Sequence, residues 1–211
     1  MWVFTKNLMI RKLFNWRLIV STNKSITTRE TILIEACKLV GREGVSHLTL
    51  EGVAKEAGMS KGGLLYHFPT KDTLIKEMIN YVMELSNNHI EEHAALEENE
   101  PGKWLRGFAN SSFEQGGLRF LMSSGLLATM LSNSEWVESW RERYVEWHQK
   151  IENDHNDLIL GYIVFLAVDG LWYADLLGLN PPQGELRQKI LETLIKLTKM
   201  EGLGEEPDRQ M

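Results

Sequence analysis

Cysteine is nearly absent from this 211-residue chain: Cys37 stands alone, so no disulfide can form within it. Its neighbours Leu33, Ala36 and Val40 make it a buried core thiol, and a reducing cytoplasm suits such a chain. Proline is scarce too, with none between Pro101 and Pro181. That long stretch shows no sustained apolar/polar alternation, which excludes a strand-rich body. The apolar run Leu158–Val168 is eleven residues long, too short by itself to cross a bilayer, and no membrane span is expected. Neither a phosphate-binding glycine loop nor a dinucleotide fingerprint occurs, no plausible nucleophilic triad is visible, and no cofactor is called for.

Acidic residues are missing from residues 1–25, which hold Lys6, Arg11, Lys12, Arg17 and Lys24. Residues 26–72 carry six charges of each sign, and 73–211 carry twelve basic against twenty-three acidic, for a net charge of −6. A neutral-to-basic end joined to an acidic body confines any attraction for phosphate to one end. The basic, apolar stretch 1–25 has hydrophobic runs too interrupted for a signal peptide. The preferred reading starts translation near Val20, leaving a short arm before the first helix; a basic arm reaching DNA is the alternative.

What is present concentrates in residues 48–74, LTLEGVAKEAGMSKGGLLYHFPTKDTL. Thr49 is placed to cap a short helix whose inner face carries Leu50, Val53, Ala54 and Ala57. Gly58 supplies a left-handed turn, and Ser60 caps a second helix anchored by Leu64, Leu65 and Phe68. Lys61, Tyr66 and His67 remain on its outside, and Gly62 and Gly63 allow another backbone to come close. This is the layout of a helix-turn-helix whose second helix enters a major groove. A merely structural helical hairpin leaves the exposed Lys61-Gly62-Gly63 start unexplained.

With Gly44, Thr49, Val53-Ala54, Ala57-Gly58, Ser60, Gly62, Leu64, His67-Phe68 and Lys71 at these spacings, residues 27–84 resemble the DNA-binding domain of the tetracycline-repressor (TetR) family. Leu65 stands where many relatives carry tyrosine, with Tyr66 next, which removes a phosphate-contacting hydroxyl or moves it by one position. Gly52 lies inside a predicted helix, at a cost of roughly 1 kcal/mol relative to alanine. The resemblance implies an all-α protein with an N-terminal three-helix DNA-binding domain and a helical ligand-binding and dimerisation domain. It implies a homodimer, a double-stranded DNA operator and a small-molecule effector as partners. The expected DNA-contacting set is Thr49, Ser60, Lys61, Gly62, Gly63, Leu65, Tyr66, His67 and Lys71.

The expected boundaries are 1–25 for the extension, 26–72 for the DNA-binding domain, 73–202 for the effector and dimerisation domain, and 203–211 for a polar tail. About nine helices are expected. Capping boxes at Thr27/Glu30 and Ser132/Glu135 mark two starts. The first helix should end near Gly41, the fourth should run long from Lys71 and fade before Pro101, and the last should span about Glu185 to Met200. The run Leu158–Val168 is apolar nearly all round and needs cover on every side. With Leu186, Ile190, Leu191, Leu194 and Leu197 of the last helix, it suits a four-helix interface between two copies.

Aromatics align along the body. Trp136, Trp140, Tyr144 and Trp147 share one face of a predicted helix, and Trp104, Phe108, Phe113, Phe120, Met122, Met130, Phe165 and Trp172 lie on its neighbours. Such residues ordinarily pack a core; the sharper expectation is an effector pocket lined by Trp104, Phe108, Phe113, Met122, Met130, Trp136, Trp140, Tyr144, Phe165 and Trp172. Asp169 and Asp175 either complement a cationic ligand or sit solvated at helix turns. His89-Ile-Glu-Glu-His93 matches the spacing of inverted zinc proteases, with Glu92 as base. A metal-dependent hydrolase is therefore the rival to a regulator. No third ligand shows in the sequence, and the segment reads as a solvated helix end, so neither a metal nor catalysis is expected. A nickel or zinc effector site is the lesser alternative there, and an activator of the same fold is the other alternative function.

Overall fold

Thr27 opens the first helix as its capping box predicts: its hydroxyl accepts from the Glu30 amide at 3.2 Å, and the Glu30 carboxylate takes the Thr27 amide at 2.8 Å. In the computed structural model, residues 26–97, 99–114, 134–154 and 157–200 are described. They form α1 (Thr28–Glu43), a 3₁₀ turn (Val45–His47), α2 (Leu50–Glu56), α3 (Lys61–His67), α4 (Lys71–Leu96), α5 (Lys103–Phe113), α6 (Ser134–Asp154), α7 (Leu158–Leu177) and α8 (Gly184–Leu197). No strand occurs among the described residues. The fold is all-α, with an N-terminal helix-turn-helix and a helical C-terminal part. Residues 1–25 and 203–211, Met122, Met130 and the Ser132 cap lie outside the described residues. Helix α1 continues two residues past Gly41, and α8 stops three short of Met200.

The described residues divide into two compact units, 26–85 with 134–140 and 86–114 with 141–200. In the first unit α1 buries Ile32, Leu33, Ala36, Cys37 and Val40 at helical spacing. These meet Val53 and Ala54 from α2, Leu64 and Phe68 from α3 and its end, and Leu74 and Met78 from α4, in a core closed to water. Each fully buried aliphatic or aromatic side chain contributes about 1.5–3 kcal/mol. The guanidinium of Arg29 lies 5.1 Å above the Phe68 ring and pairs with Glu77, so α1 is tied to α3 and α4 at its exposed end.

The second unit depends on one close helix crossing. A Cβ built on Gly107 of α5 would lie 2.6 Å from the Ala94 backbone nitrogen of α4, so only glycine permits the approach. The hairpin between these helices is knotted by Arg106, whose side chain is fully buried. Its Nε donates to Glu97 at 2.8 Å, and its terminal nitrogens donate to the carbonyls of Pro101 and Glu100. Glu97 also receives the Asn110 amide at 3.0 Å. Gly102 provides no side-chain cap for α5; Asp154, the last residue of α6, does so instead, accepting the Trp104 amide at 2.7 Å.

Asp157 caps α7 by accepting the Leu160 amide at 3.0 Å, and Gly178, at φ +67°, ends it. Helix α7 packs on α5 and α8 through Leu160, Val164, Phe165, Val168 and Leu171. Its other face is bare: Ile159 is 72% exposed and Leu166 62%. Among the described residues, the expected cover on every side is thus supplied on one face. As a whole, α7 has 20 residues and is long and apolar enough to cross a membrane by length and composition, contrary to the estimate from its eleven-residue core. Its Asp169 and Asp175 are held by partners in this unit, as buried polar groups of a folded domain are.

Candidate DNA-reading helix and effector cavity

The helix-turn-helix is set by two hydroxyl caps and one left-handed glycine. Thr49 Oγ1 accepts the Gly52 amide at 3.0 Å and Ser60 Oγ accepts the Gly63 amide at 3.1 Å, each satisfying a donor that a helix start leaves unpaired. Gly58 makes the turn at φ +67°. Gly52, a cost when only propensity is weighed, has a reason: a Cβ there would sit 3.0 Å from the Thr49 hydroxyl and 3.6 Å from Leu39. At Gly63 a Cβ would reach Ser60 Oγ at 3.4 Å, about an ordinary contact, and open space faces Gly62.

Along α3 the inward and outward sides separate cleanly. Leu64 is 0% exposed and Tyr66 85%, with Leu65 at 36%. Leu65 therefore lies at the surface and is not the third anchor expected beside Leu64 and Phe68; successive helical residues are turned by about 100°. The Tyr66 ring meets His67 edge-on at 5.3 Å. Lys61 holds its ammonium 3.6 Å from the Glu51 carboxylate, both largely exposed, and such a pair opens at little cost. Lys71, at the start of α4, donates to the Val45 carbonyl at 3.2 Å and is half-buried. It fastens the 3₁₀ turn to α4, a structural task not visible in the sequence.

In the second unit the predicted effector residues part company. Trp104, Phe108, Tyr144 and Phe165 come together with Trp147, which had been read on the Tyr144 face. The Phe108 and Phe165 rings stack at 5.0 Å, Trp104 and Phe108 at 5.7 Å, and Tyr144 meets Phe165 edge-on at 5.9 Å. These rings fill space against one another. Among the described members of the set, Phe113 lines the open cavity described next. Trp172 stands against Tyr173 at 5.1 Å. Trp136 and Trp140 belong to the other unit.

The cavity measures about 360 Å³ and is lined by His93, Asn110, Phe113, Glu114, Gly184, Arg187, Gln188 and Leu191. It is more polar than the aromatic pocket expected. Arg187 is buried, stacks 5.0 Å above the Phe113 ring, and makes a two-pronged pair with Asp175 at 2.7 and 3.1 Å. Its buried Nε meets no acceptor among the described residues. Asp175 is thus neither solvated nor ready for a cationic ligand, because a buried guanidinium occupies both its oxygens. Asp169 accepts the Tyr144 hydroxyl at 2.7 Å. Burial pushes the Asp169 carboxyl upward, with Tyr144 and His148 pulling partly back, and burial beside Asp169 pushes the Tyr144 phenol up as well.

The HIEEH segment is not polar all round. Ile90 and Ala94 are buried, held by the Gly107 crossing. Nor do its histidines lack a third group: His89 Nε2 lies 2.8 Å and His93 Nε2 3.2 Å from the two oxygens of Glu114, at the end of α5. Glu92, the would-be base, is mostly exposed and lies 3.6 Å from His89 Nδ1. Nothing in the sequence near His89 pointed to Glu114, twenty-one or more residues further on and on a different helix.

Comparison with known proteins matches both halves. Residues 32–78 match the family described as bacterial regulatory proteins of the tetR family, and residues 102–199 match the tetracyclin repressor-like C-terminal domain. The HTH-type transcriptional regulator AcrR of Shigella flexneri is 38% identical over 65 residues, 31% of this chain and 28% of AcrR. BetI of Yersinia pestis, another HTH-type transcriptional regulator, is 27% identical over 119 residues, 56% of this chain and 60% of BetI. The match thus spans less than two thirds of either relative. A TetR-family member from Streptomyces coelicolor shares the fold with a TM-score of 0.64 at 22% identity, covering 81% of this chain and 98% of that one. The multidrug binding protein EbrR, solved with ethidium, does so with a TM-score of 0.62 at 20% identity, covering 82% and 99%.

Fold and reading helix together define a helix-turn-helix transcriptional regulator. The chain belongs to the TetR family of DNA-binding transcriptional regulators.

Proposed function

We propose that the chain acts in the cytoplasm as a homodimeric repressor, released from a palindromic operator when a small molecule binds its second unit. The observation that carries this reading is α3, whose Leu64 is sealed in the core while Tyr66 stands almost wholly in solvent beside Lys61 and an open Gly62. Lys61 leaves Glu51 for a guanine edge or a phosphate, and Leu65 offers apolar contact to a thymine methyl. Thr49, Ser60, Tyr66, His67 and Lys71 set register on phosphates, with Gly62 and Gly63 letting the backbones approach. Lys71 does so while bound to the Val45 carbonyl, so it also shapes the turn.

Dimerisation is supported by the bare stripe Ile159, Ile163 and Leu166 on α7, spaced at helical intervals, and by exposed Leu186 on α8. Two copies of this pair make a four-helix interface, and a two-fold pair of reading helices addresses half-sites one helical turn apart. For the effector, the support lies in the 360 Å³ cavity and the unsatisfied Nε of Arg187, which invites a ligand with a hydrogen-bond acceptor. EbrR's complex with ethidium shows that this fold holds small molecules in another protein. Effector binding would alter α4, shared by both units, and with it the spacing of the reading helices.

The test is gel-shift binding to duplexes tiled across the upstream region of the gene at several salt concentrations. Tight, sequence-selective binding with a steep salt slope is expected. Binding that is weak and indifferent to sequence, both there and in a random-sequence selection, would overturn the reading. The rival hydrolase predicts metal-dependent turnover that is lost in His89→Ala.

A further inference from the structure

We propose that His89, His93 and Glu114 form a binding site for a divalent transition cation of the zinc class, with its remaining coordination positions open to the neighbouring cavity. The inference goes beyond the regulatory reading and does not rest on it.

The geometry begins with the helix. Residues four apart on α4 project on one face, so the two imidazoles stand one turn apart, their rings 4.7 Å between centroids. Both aim a nitrogen at one carboxylate, at 2.8 and 3.2 Å, and the three donor atoms all lie within 4.8 Å of one another. In a tetrahedral site with bonds of about 2.0–2.1 Å, donors stand about 3.4 Å apart. Both nitrogen–oxygen separations lie within about 0.6 Å of that value, on its short side. Closing the whole set, now within 4.8 Å, takes rotation of the imidazoles as well as of the Glu114 side chain, which is half-exposed.

The backing is rigid where it needs to be. Gly107 locks α5 against Ala94, one residue beyond His93, and Arg106 with Glu97 pins the hairpin. Glu114 is therefore delivered to the histidines by two fixed helices. Glu92 lies 3.6 Å from His89 Nδ1, beyond hydrogen-bond distance but within a side-chain rotation of the place from which a carboxylate orients a metal-bound imidazole.

The donor set selects the cation. Two imidazole nitrogens and one carboxylate suit zinc, nickel or cobalt; calcium and magnesium prefer oxygen throughout. Three protein ligands leave at least one position for water or another ligand. His93 and Glu114 both line the cavity, so that position faces it, with Asn110 and Gln188 among the walls. An imidazole–carboxylate cluster retained for stability alone is the competing account. Partly exposed pairs of this kind contribute little to stability, which gives little reason for two rings to converge on one carboxylate.

The test uses the untagged full chain, stripped with chelator and titrated with cobalt(II), followed by visible absorption, and then with zinc by calorimetry. The expected result is one equivalent bound per chain, with cobalt absorption of a four- or five-coordinate site that zinc abolishes. Glu114→Gln keeps the shape and one acceptor oxygen, its amide nitrogen donating to the other, neutral ring, but loses the anionic ligand. It should weaken zinc binding by about ten- to a hundred-fold at unchanged circular dichroism, and His93→Ala should do the same. No saturable one-equivalent binding in the wild-type chain would overturn the proposal, as would Glu114→Gln binding zinc as tightly as wild type.

Discussion

Replacing Gly107 with alanine tests the crossing on which the second unit is built. The added Cβ would lie 2.6 Å from the Ala94 nitrogen and 2.7 Å from its Cα and Cβ. Carbon atoms in contact prefer about 3.5–4.0 Å, so α4 and α5 must separate by about 1 Å. The obstacle is backbone, which cannot rotate aside as a long side chain would. Alanine gains about 1 kcal/mol over glycine in a helix interior, and overpacking costs about 1–3 kcal/mol, here at the upper end. The net expectation is destabilisation of about 1–2 kcal/mol, a fall in Tm of roughly 2–8 °C for a chain of this size. Urea unfolding and calorimetry read it directly. Adding Ala94→Gly should restore part of the loss, since it removes one of the three close atoms. A Gly107→Ala protein as stable as wild type, or more so, would refute the reasoning.

Cys37 should resist maleimide in the folded protein and react stoichiometrically once unfolded, because it is fully buried and burial pushes its thiol up, away from the reactive thiolate; prompt labelling of the native chain would contradict the packing of α1. Asp169→Asn should stabilise the protein at neutral pH while keeping an acceptor for the Tyr144 hydroxyl. The Asp169 carboxyl is raised in the fold, so its ionised form opposes folding above the folded pKa, and that penalty lifts as pH falls through it. The advantage of the variant should therefore shrink on acidification, and an advantage independent of pH would argue against burial as the cause.

What the sequence revealed was local. The Thr27–Glu30 box, the turn at Gly58 and the caps at Thr49 and Ser60 each depend on residues within four of one another, and all appear as read. The inward Leu64 and outward Tyr66 followed from helical period, though the same period could not rank Leu65 against its neighbours. The aromatic residues show where such reasoning ends: periodicity says which face of a helix turns inward, not whether the facing helices leave room. Trp104, Phe108 and Phe165 stack on one another, while the open space lies beside Arg187 and Glu114. Arg106 and Arg187 were unreadable for a different reason. Arginine is rarely buried, and each is buried here beside a carboxylate elsewhere in the chain that pairs with it. Asp175 and the HIEEH histidines likewise acquired their meaning from residues twelve or more positions away.

The cap that Asp154 gives to α5 carries a consequence for the order of assembly. Helix α5 starts at Gly102 without a side chain of its own to hold its first amides, and the carboxylate that holds the Trp104 amide is synthesised fifty residues later. On the ribosome, at about 5–20 residues per second, α5 therefore emerges some seconds before its start can be secured. The first unit's reading helix, capped by its own Ser60, faces no such delay. A nascent chain is thus able to complete its DNA-reading end while the second unit still waits for its fastening, and a chain cut short before residue 154 would leave α5 frayed at its first turn.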